Sequence, residues 1–156
     1  DKIADSLRTK TDVNLVVHYY QHWDVEGANI DLDIESKKIA SSSETFDYIF
    51  AKSAGTVLAS KLIAEKIVDP KKVIFVGIPV KWAKKMSFPL QEWIQKVTSE
   101  ILFIHNVGDP VADKSSFEAL LRNTTLPKHL VQYYPADDHV YSNVEELTDL
   151  VADFIG

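Results

Sequence analysis

The chain of 156 residues contains no cysteine, which removes disulfide frameworks, thiolate zinc sites and any cysteine nucleophile together. The same absence suits a reducing compartment, and a cytoplasmic location is the expectation. Basic residues are in deficit, 17 against 23 acidic, for a net charge of −6. Binding a phosphate backbone calls for a clustered cationic face, so nucleic acid is not an expected partner. No apolar run reaches the roughly 18 residues of a membrane span, because Asp, Glu, Lys or Arg interrupts each one. Glycines number only five. Neither G-x-G-x-x-G nor G-x-x-x-x-G-K-[ST] occurs, which disfavours a nucleotide-binding domain. No signal peptide is visible, since the chain opens on Asp1 and a polar helix-like segment.

What is present is a hydrophobic fraction of 46%, enough at this length to bury roughly 68–70% of the unfolded surface. Apolar runs alternate with amphipathic stretches. Strands are expected at Val13 to Tyr20, Tyr48 to Lys52, Val73 to Gly77, Ile101 to His105 and His129 to Tyr134. Three of them are almost continuously apolar, as strands buried on both faces are. Helices are expected at Leu32 to Thr45, Gly55 to Lys66, Val80 to Val97, Ser115 to Arg122 and Asn143 to Ile155. This order implies an α/β fold, doubly wound, with a mainly parallel sheet of at least five strands and helices on both faces. No repeat, low-complexity tract or linker interrupts it, so residues 1–156 read as a single domain.

The informative segment is Phe46 to Lys66, FDYIFAKSAGTVLASKLIAEK. An apolar strand runs into Ala51-Lys52-Ser53-Ala54-Gly55, and a helix follows at once. A serine held on a sharp strand-to-helix turn needs small residues two positions away on either side, which Ala51 and Gly55 are. The helix then directs its N-terminal N–H groups and positive dipole end at the serine. The segment resembles the nucleophile elbow of α/β-hydrolases, G-x-S-x-G, with alanine at the first small position as in some bacterial lipases. On its own such a turn can equally be a tight βα connection whose serine caps the helix.

Two later segments extend the resemblance. Asn106-Val107-Gly108-Asp109-Pro110-Val111-Ala112 resembles the G-x-x-D-P-V-V segment carrying the family's acid, and Ala136-Asp137-Asp138-His139-Val140-Tyr141 resembles the loop carrying its histidine. The order Ser53, Asp109, His139 is the order the family uses, each residue just past an expected strand end. The resemblance, to the small serine esterases and dienelactone-hydrolase-like proteins, covers about Val13 to Ile155. It implies a largely capless serine hydrolase that cleaves an acyl ester or thioester of a small-molecule substrate through an acyl-enzyme, without a cofactor. Ser53 would be nucleophile, His139 base and Asp109 its orienting acid, with the Ala54 N–H as one oxyanion donor.

The resemblance also implies a second oxyanion donor from a glycine-rich loop after the third strand. The only glycine before the elbow is Gly27, in a Trp23-to-Gly27 loop unlike that motif. Val13 to Tyr20 takes the place of the family's fourth strand and Asp1 to Thr11 that of the helix before it. The expectation is an N-terminally incomplete domain, short of a strand-and-helix unit of roughly 20 to 40 residues. The alternative is a catalytically impaired hydrolase-like binding or scaffold protein.

Other candidates have plainer readings beside them. Asp113 could replace Asp109 as the acid. His105 could line the site or be a core imidazole. His18 reads as a sheet residue, His22 as loop surface and His129 as an exposed strand start. Asp137-Asp138-His139 is the nearest approach to a metal-binding set and reads as the histidine loop instead, so no metal is expected. Lys81 to Trp93, with two Trp, Met86 and Phe88, could be a small cap over the serine or an ordinary crossover helix. Lys52, beside the serine, and Trp82, in that segment, are the candidate substrate contacts. The acidic stretches Asp31 to Glu35 and Glu145 to Asp153 read as solvated helix faces.

Overall fold

The computed structural model describes residues 2–156. In chain order its elements are α1 (Lys2–Lys10), a 3-10 turn (Gln21–Asp24), α2 (Leu32–Ser41), β1 (Tyr48–Lys52), α3 (Ala54–Ala64), β2 (Lys72–Val76), α4 (Val80–Lys85), α5 (Leu90–Gln95), β3 (Glu100–Asn106), α6 (Lys114–Arg122), β4 (His129–Tyr134) and α7 (Val144–Ile155). They fall into two compact units, Asp31–His139 on the one hand and the terminal segments ending at Ile30 and beginning at Val140 on the other.

The larger unit is built on a sheet in the order β1-β2-β3-β4, every pair parallel. Each crossover carries at least one helix, and α4 packs with α5 and α6, and α5 with α3. Val73, Ile74, Phe75, Val76, Ile101, Leu102, Phe103 and Ile104 each expose 1% or less. Both faces of the two central strands are therefore covered, which explains why their sequences show no alternation. Burying each large apolar side chain contributes roughly 1.5–3 kcal/mol. Phe75 and Phe103 are register partners with ring centroids 6.1 Å apart.

Caps set the helix limits. Asp31 accepts from the Asp33 and Ile34 N–H groups, both at 3.0 Å, and opens α2. Helix α3 closes on Lys66 at φ 59°, where the Lys66 N–H donates to Ile63 O and the Ile67 N–H to Leu62 O.

Three expectations are corrected. The sheet has four strands rather than at least five, because residues 13–20 form none. β-branched and aromatic residues suit a strand, but only a ladder of backbone bonds makes one. Val16, Val17 and Tyr19 are exposed instead, and His18 lies edge-on to Tyr20 in irregular chain. The single helix expected over residues 80–97 is two, α4 and α5. Ser87 takes φ 58°, the Phe88 N–H closes back on Ala83 O, and Pro89 bars continuation. Glu35, read as part of a solvated face, is buried at 1% exposure because it shares the inward stripe of α2 with Leu32 and Ser36.

In the smaller unit α1 and α7 pack together. A hydroxyl pair, Ser6 with Thr148 at 2.8 Å, joins them, and Lys10 meets Asp149 at the exposed edge. Among the described residues no helix is long and apolar enough to cross a membrane.

Candidate active site

Ser53 stands between β1 and α3 at φ 52°, ψ −129°, a conformation that costs a residue with a Cβ about 1–3 kcal/mol. Its neighbours hold it there. The Ser53 N–H donates to Val76 O at 2.9 Å, which keeps the turn on the sheet. Its carbonyl accepts twice from buried Thr56, from the N–H at 2.9 Å and from the hydroxyl at 2.7 Å. Ala51 and Gly55 are both buried, so larger side chains at either place would have to displace packed neighbours. Helix α3 begins at Ala54, and its first N–H groups have no acceptor within the helix.

Asp109 follows β3. Its N–H closes a turn onto Asn106 O at 3.1 Å, and its Oδ1 accepts from the Val111 and Ala112 N–H groups, each at 2.8 Å. Pro110 between them brings no N–H, so the carboxylate serves the next two donors. Burial by itself would raise the pKa of this carboxyl. The N–H of Ala112, the imidazole of His139 and the N–H of Val111 outweigh it, and the net shift is downward, toward the ionised form.

His139 ends the loop after β4. Its Nδ1 lies 2.7 Å from Asp109 Oδ2 and 3.0 Å from Oδ1, and its Nε2 lies 2.8 Å from Ser53 Oγ. An ionised carboxylate only accepts, so Nδ1 carries the proton and Nε2 is left to accept from the serine hydroxyl. The three side chains thus form one chain of hydrogen bonds at the carboxyl ends of β1, β3 and β4. In a parallel sheet those ends share one rim.

The loops after β3 and β4 are joined below the imidazole. The Val107 N–H donates to Tyr134 O and the Gly108 N–H to Ala136 O, both at 2.9 Å, and Asn106 Nδ2 donates to Asp138 O at 2.8 Å. A Cβ on Gly108 would lie 3.0 Å from the Cα and Cβ of Asp137, so only glycine allows this approach. Sequence reasoning did not single out Asn106 or Thr56. A polar residue ending a strand with an apolar centre, and a threonine three places after the elbow serine, were the available signals.

The remaining candidates separate. Lys52 ends β1 and is half-buried. Burial lowers its pKa, against the pull of Asp109 and Asp138 toward the charged form. Trp82 lies on α4 and packs edge-on against Phe88, centroids 5.6 Å apart. Asp113 does not meet the histidine. It caps α6 through the Ser115 N–H at 3.1 Å and pairs with Lys81 at 2.9 Å. His105 is a buried ring stacked on Phe117 at 4.7 Å. Burial holds its pKa down, only partly offset by Asp109 and by the backbone of Ala112. His22 sits in the 3-10 turn rather than in an open loop, while His129 opens β4 exposed. Among the described residues no three His, Asp or Glu side chains are placed to share a metal ion.

No family model matches the sequence, and no curated protein does. Solved structures do match. An esterase domain from Rhodothermus marinus superposes with a TM-score of 0.70 over 98% of this chain and 76% of that one, at 15% identity. A meta-cleavage product hydrolase from Pseudomonas fluorescens gives 0.63 over 83% and 73%, at 13% identity. An esterase from Exiguobacterium antarcticum gives 0.62 over 80% and 74%, at 12% identity. Identities this low speak for architecture alone. The chain has the α/β fold with a parallel sheet that these esterases and hydrolases share.

Proposed function

We propose that the protein is a serine-dependent carboxylic ester hydrolase that cleaves an acyl ester or thioester of a small molecule through an acyl-enzyme. The observation that carries the reading is the hydrogen-bonded series Ser53, His139, Asp109 beside a serine held at positive φ. Ser53 Oγ attacks the acyl carbonyl carbon while His139 Nε2 takes its proton. The carbonyl oxygen becomes an oxyanion, and the Ala54 N–H at the start of α3 donates to it. His139 returns the proton to the departing alcohol or thiol. Water, deprotonated by the same nitrogen, then attacks the acyl-serine; as the C–Oγ bond breaks and the acid is released, His139 returns that proton to Ser53 Oγ. Asp109 keeps the Nδ1 proton in place throughout, so that Nε2 is available as base. Lys52 and Trp82 are the proposed substrate contacts. Placement among small, largely capless, dienelactone-hydrolase-like esterases, and a cytoplasmic setting, belong to the same proposal.

One observation favours a second reading, that of a hydrolase-like binding protein with impaired catalysis. Gly27, the only glycine before the elbow, serves a turn at φ 73° and has nothing within 4 Å of where a Cβ would stand, so it makes no close backbone approach of the kind an oxyanion loop uses. The resemblance supplies no other second oxyanion donor, and losing one such donor costs roughly 10²- to 10³-fold in turnover. A fluorophosphonate probe tests both. Labelling at Ser53 that disappears in Ser53→Ala, together with p-nitrophenyl acetate turnover that falls to background in His139→Ala, supports the enzyme. Absence of both labelling and turnover in a folded full-length protein, one that includes any upstream strand-and-helix unit, favours the binding protein.

A further inference from the structure

We propose that Asn106 is a positioning residue, whose side-chain amide sets the place of His139 by holding the peptide group immediately before it. The inference rests on the reading of Ser53, His139 and Asp109 as the active site.

Asn106 is the last residue of β3 and pairs in register with Tyr134, the last of β4. Beyond this pair the two chains leave the sheet. One reaches Asp109 in three residues and the other His139 in five. Two backbone bonds tie the start of the histidine loop, at Tyr134 O and Ala136 O, to Val107 and Gly108. The bond from Asn106 Nδ2 to Asp138 O, 2.8 Å long, is the rung nearest the imidazole. The carbonyl it holds belongs to the amide whose nitrogen is that of His139, so fixing it fixes the point from which the His139 side chain departs.

The chemistry of the position matches the task. Asn106 is wholly buried at the end of a strand whose preceding residues, Ile101 to Ile104, are apolar. A buried amide N–H in such surroundings is retained at a cost unless it is hydrogen-bonded, and Nδ2 meets Asp138 O. Proton transfer from Ser53 to Nε2 needs the ring within hydrogen-bond reach of both Oγ and Asp109, and displacement of a reacting group by about 1 Å can cost on the order of 10²-fold. The acid-loop motif that this segment resembles has glycine at the place of Asn106. The tether is therefore a feature of this chain rather than of the motif.

The test uses the whole chain with Asn106→Asp, which keeps the shape but replaces the donor with an acceptor, and Asn106→Leu, which keeps the bulk without either. Fluorophosphonate labelling of the unsubstituted protein is scored first, so that the catalytic reading stands or falls separately. In variants that retain a cooperative unfolding transition, kcat for p-nitrophenyl acetate should fall about 10- to 100-fold while KM stays within about twofold. The proton NMR resonance of His139 Nδ1–H should shift or broaden as its bond to Asp109 loosens. Should Asn106→Leu not fold, the isosteric Asn106→Asp decides. Unchanged kcat and an unchanged resonance in a folded variant overturn the inference. If the unsubstituted protein does not label, the resonance alone gives the answer, unchanged against the inference and shifted for it.

Discussion

Asp109→Asn changes one atom and should nearly abolish turnover, for a reason the local geometry dictates. Asp109 Oδ1 accepts from two backbone N–H groups, Val111 and Ala112, at 2.8 Å each. An asparagine must keep its carbonyl oxygen there, since its NH2 group would face two donors. The NH2 is then left at the Oδ2 position, 2.7 Å from His139 Nδ1. It donates where the nearer carboxylate oxygen accepted; although the retained carbonyl oxygen lies 3.0 Å from Nδ1, the shorter contact then favours an unprotonated Nδ1, and the proton shifts toward Nε2. That nitrogen can no longer accept from Ser53 Oγ, 2.8 Å away. Enforcing the wrong tautomer in a triad costs about 10⁴-fold in kcat, equivalent to about 5 kcal/mol of barrier. The assay is steady-state hydrolysis of p-nitrophenyl acetate alongside the rate of fluorophosphonate labelling, with circular dichroism to show a retained fold. A folded Asp109→Asn protein within about tenfold of the unsubstituted rate would refute the tautomer argument and Asp109's part in it.

Three further predictions follow from the same region. Ser53→Gly and Ser53→Ala should both lose labelling, but the glycine variant should be the more stable by about 1–2 kcal/mol in urea unfolding, because only glycine relieves φ 52°; equal stabilities would show that the turn is unstrained. Gly108→Ala brings a Cβ to 3.0 Å from Asp137, and should cost about 1–3 kcal/mol of stability and lower kcat as the two loops part; an unchanged midpoint would show that the loops yield freely. The folded-state pKa of Asp109 is depressed, so its stabilising contribution is complete above the unfolded carboxylate value and is lost as pH falls through the folded one. The difference in unfolding free energy between the unsubstituted protein and Asp109→Asn should thus be level above about pH 5 and shrink below about pH 4; a difference that grows on acidification would reverse the sign of the shift.

Much of the larger unit is legible in the chain because its evidence is local. Strands β1 and β4 coincide with their apolar runs, and β2 and β3 differ from theirs by a residue at each end; the two central strands are buried on both faces and so are apolar almost throughout, while the edge strands β1 and β4 are only partly buried. The same local evidence misleads at residues 13–20, whose composition suits a strand but whose backbone enters no ladder. It also misleads in the span between Val80 and Val97, where a helical pattern conceals the left-handed turn at Ser87. Asp113 and Asp109 are both acids in the right loop. The motif resemblance favours Asp109, and the structure agrees in placing Asp113 elsewhere, at the cap of α6 and in an ion pair with Lys81.

What the sequence determined by itself was the chemical inventory and its order: a serine between small residues after one strand, an acid after another, a histidine after a third, and no cysteine to compete with them. Order along a chain does not measure distance. That His139 reaches both Ser53 and Asp109, that Asn106 holds the peptide before it, and that Ser53 sits at positive φ are decisions of tertiary structure. Each depends on the parallel register of four strands from separate parts of the chain, and hydrogen bonds become specific only when both partners are held in place.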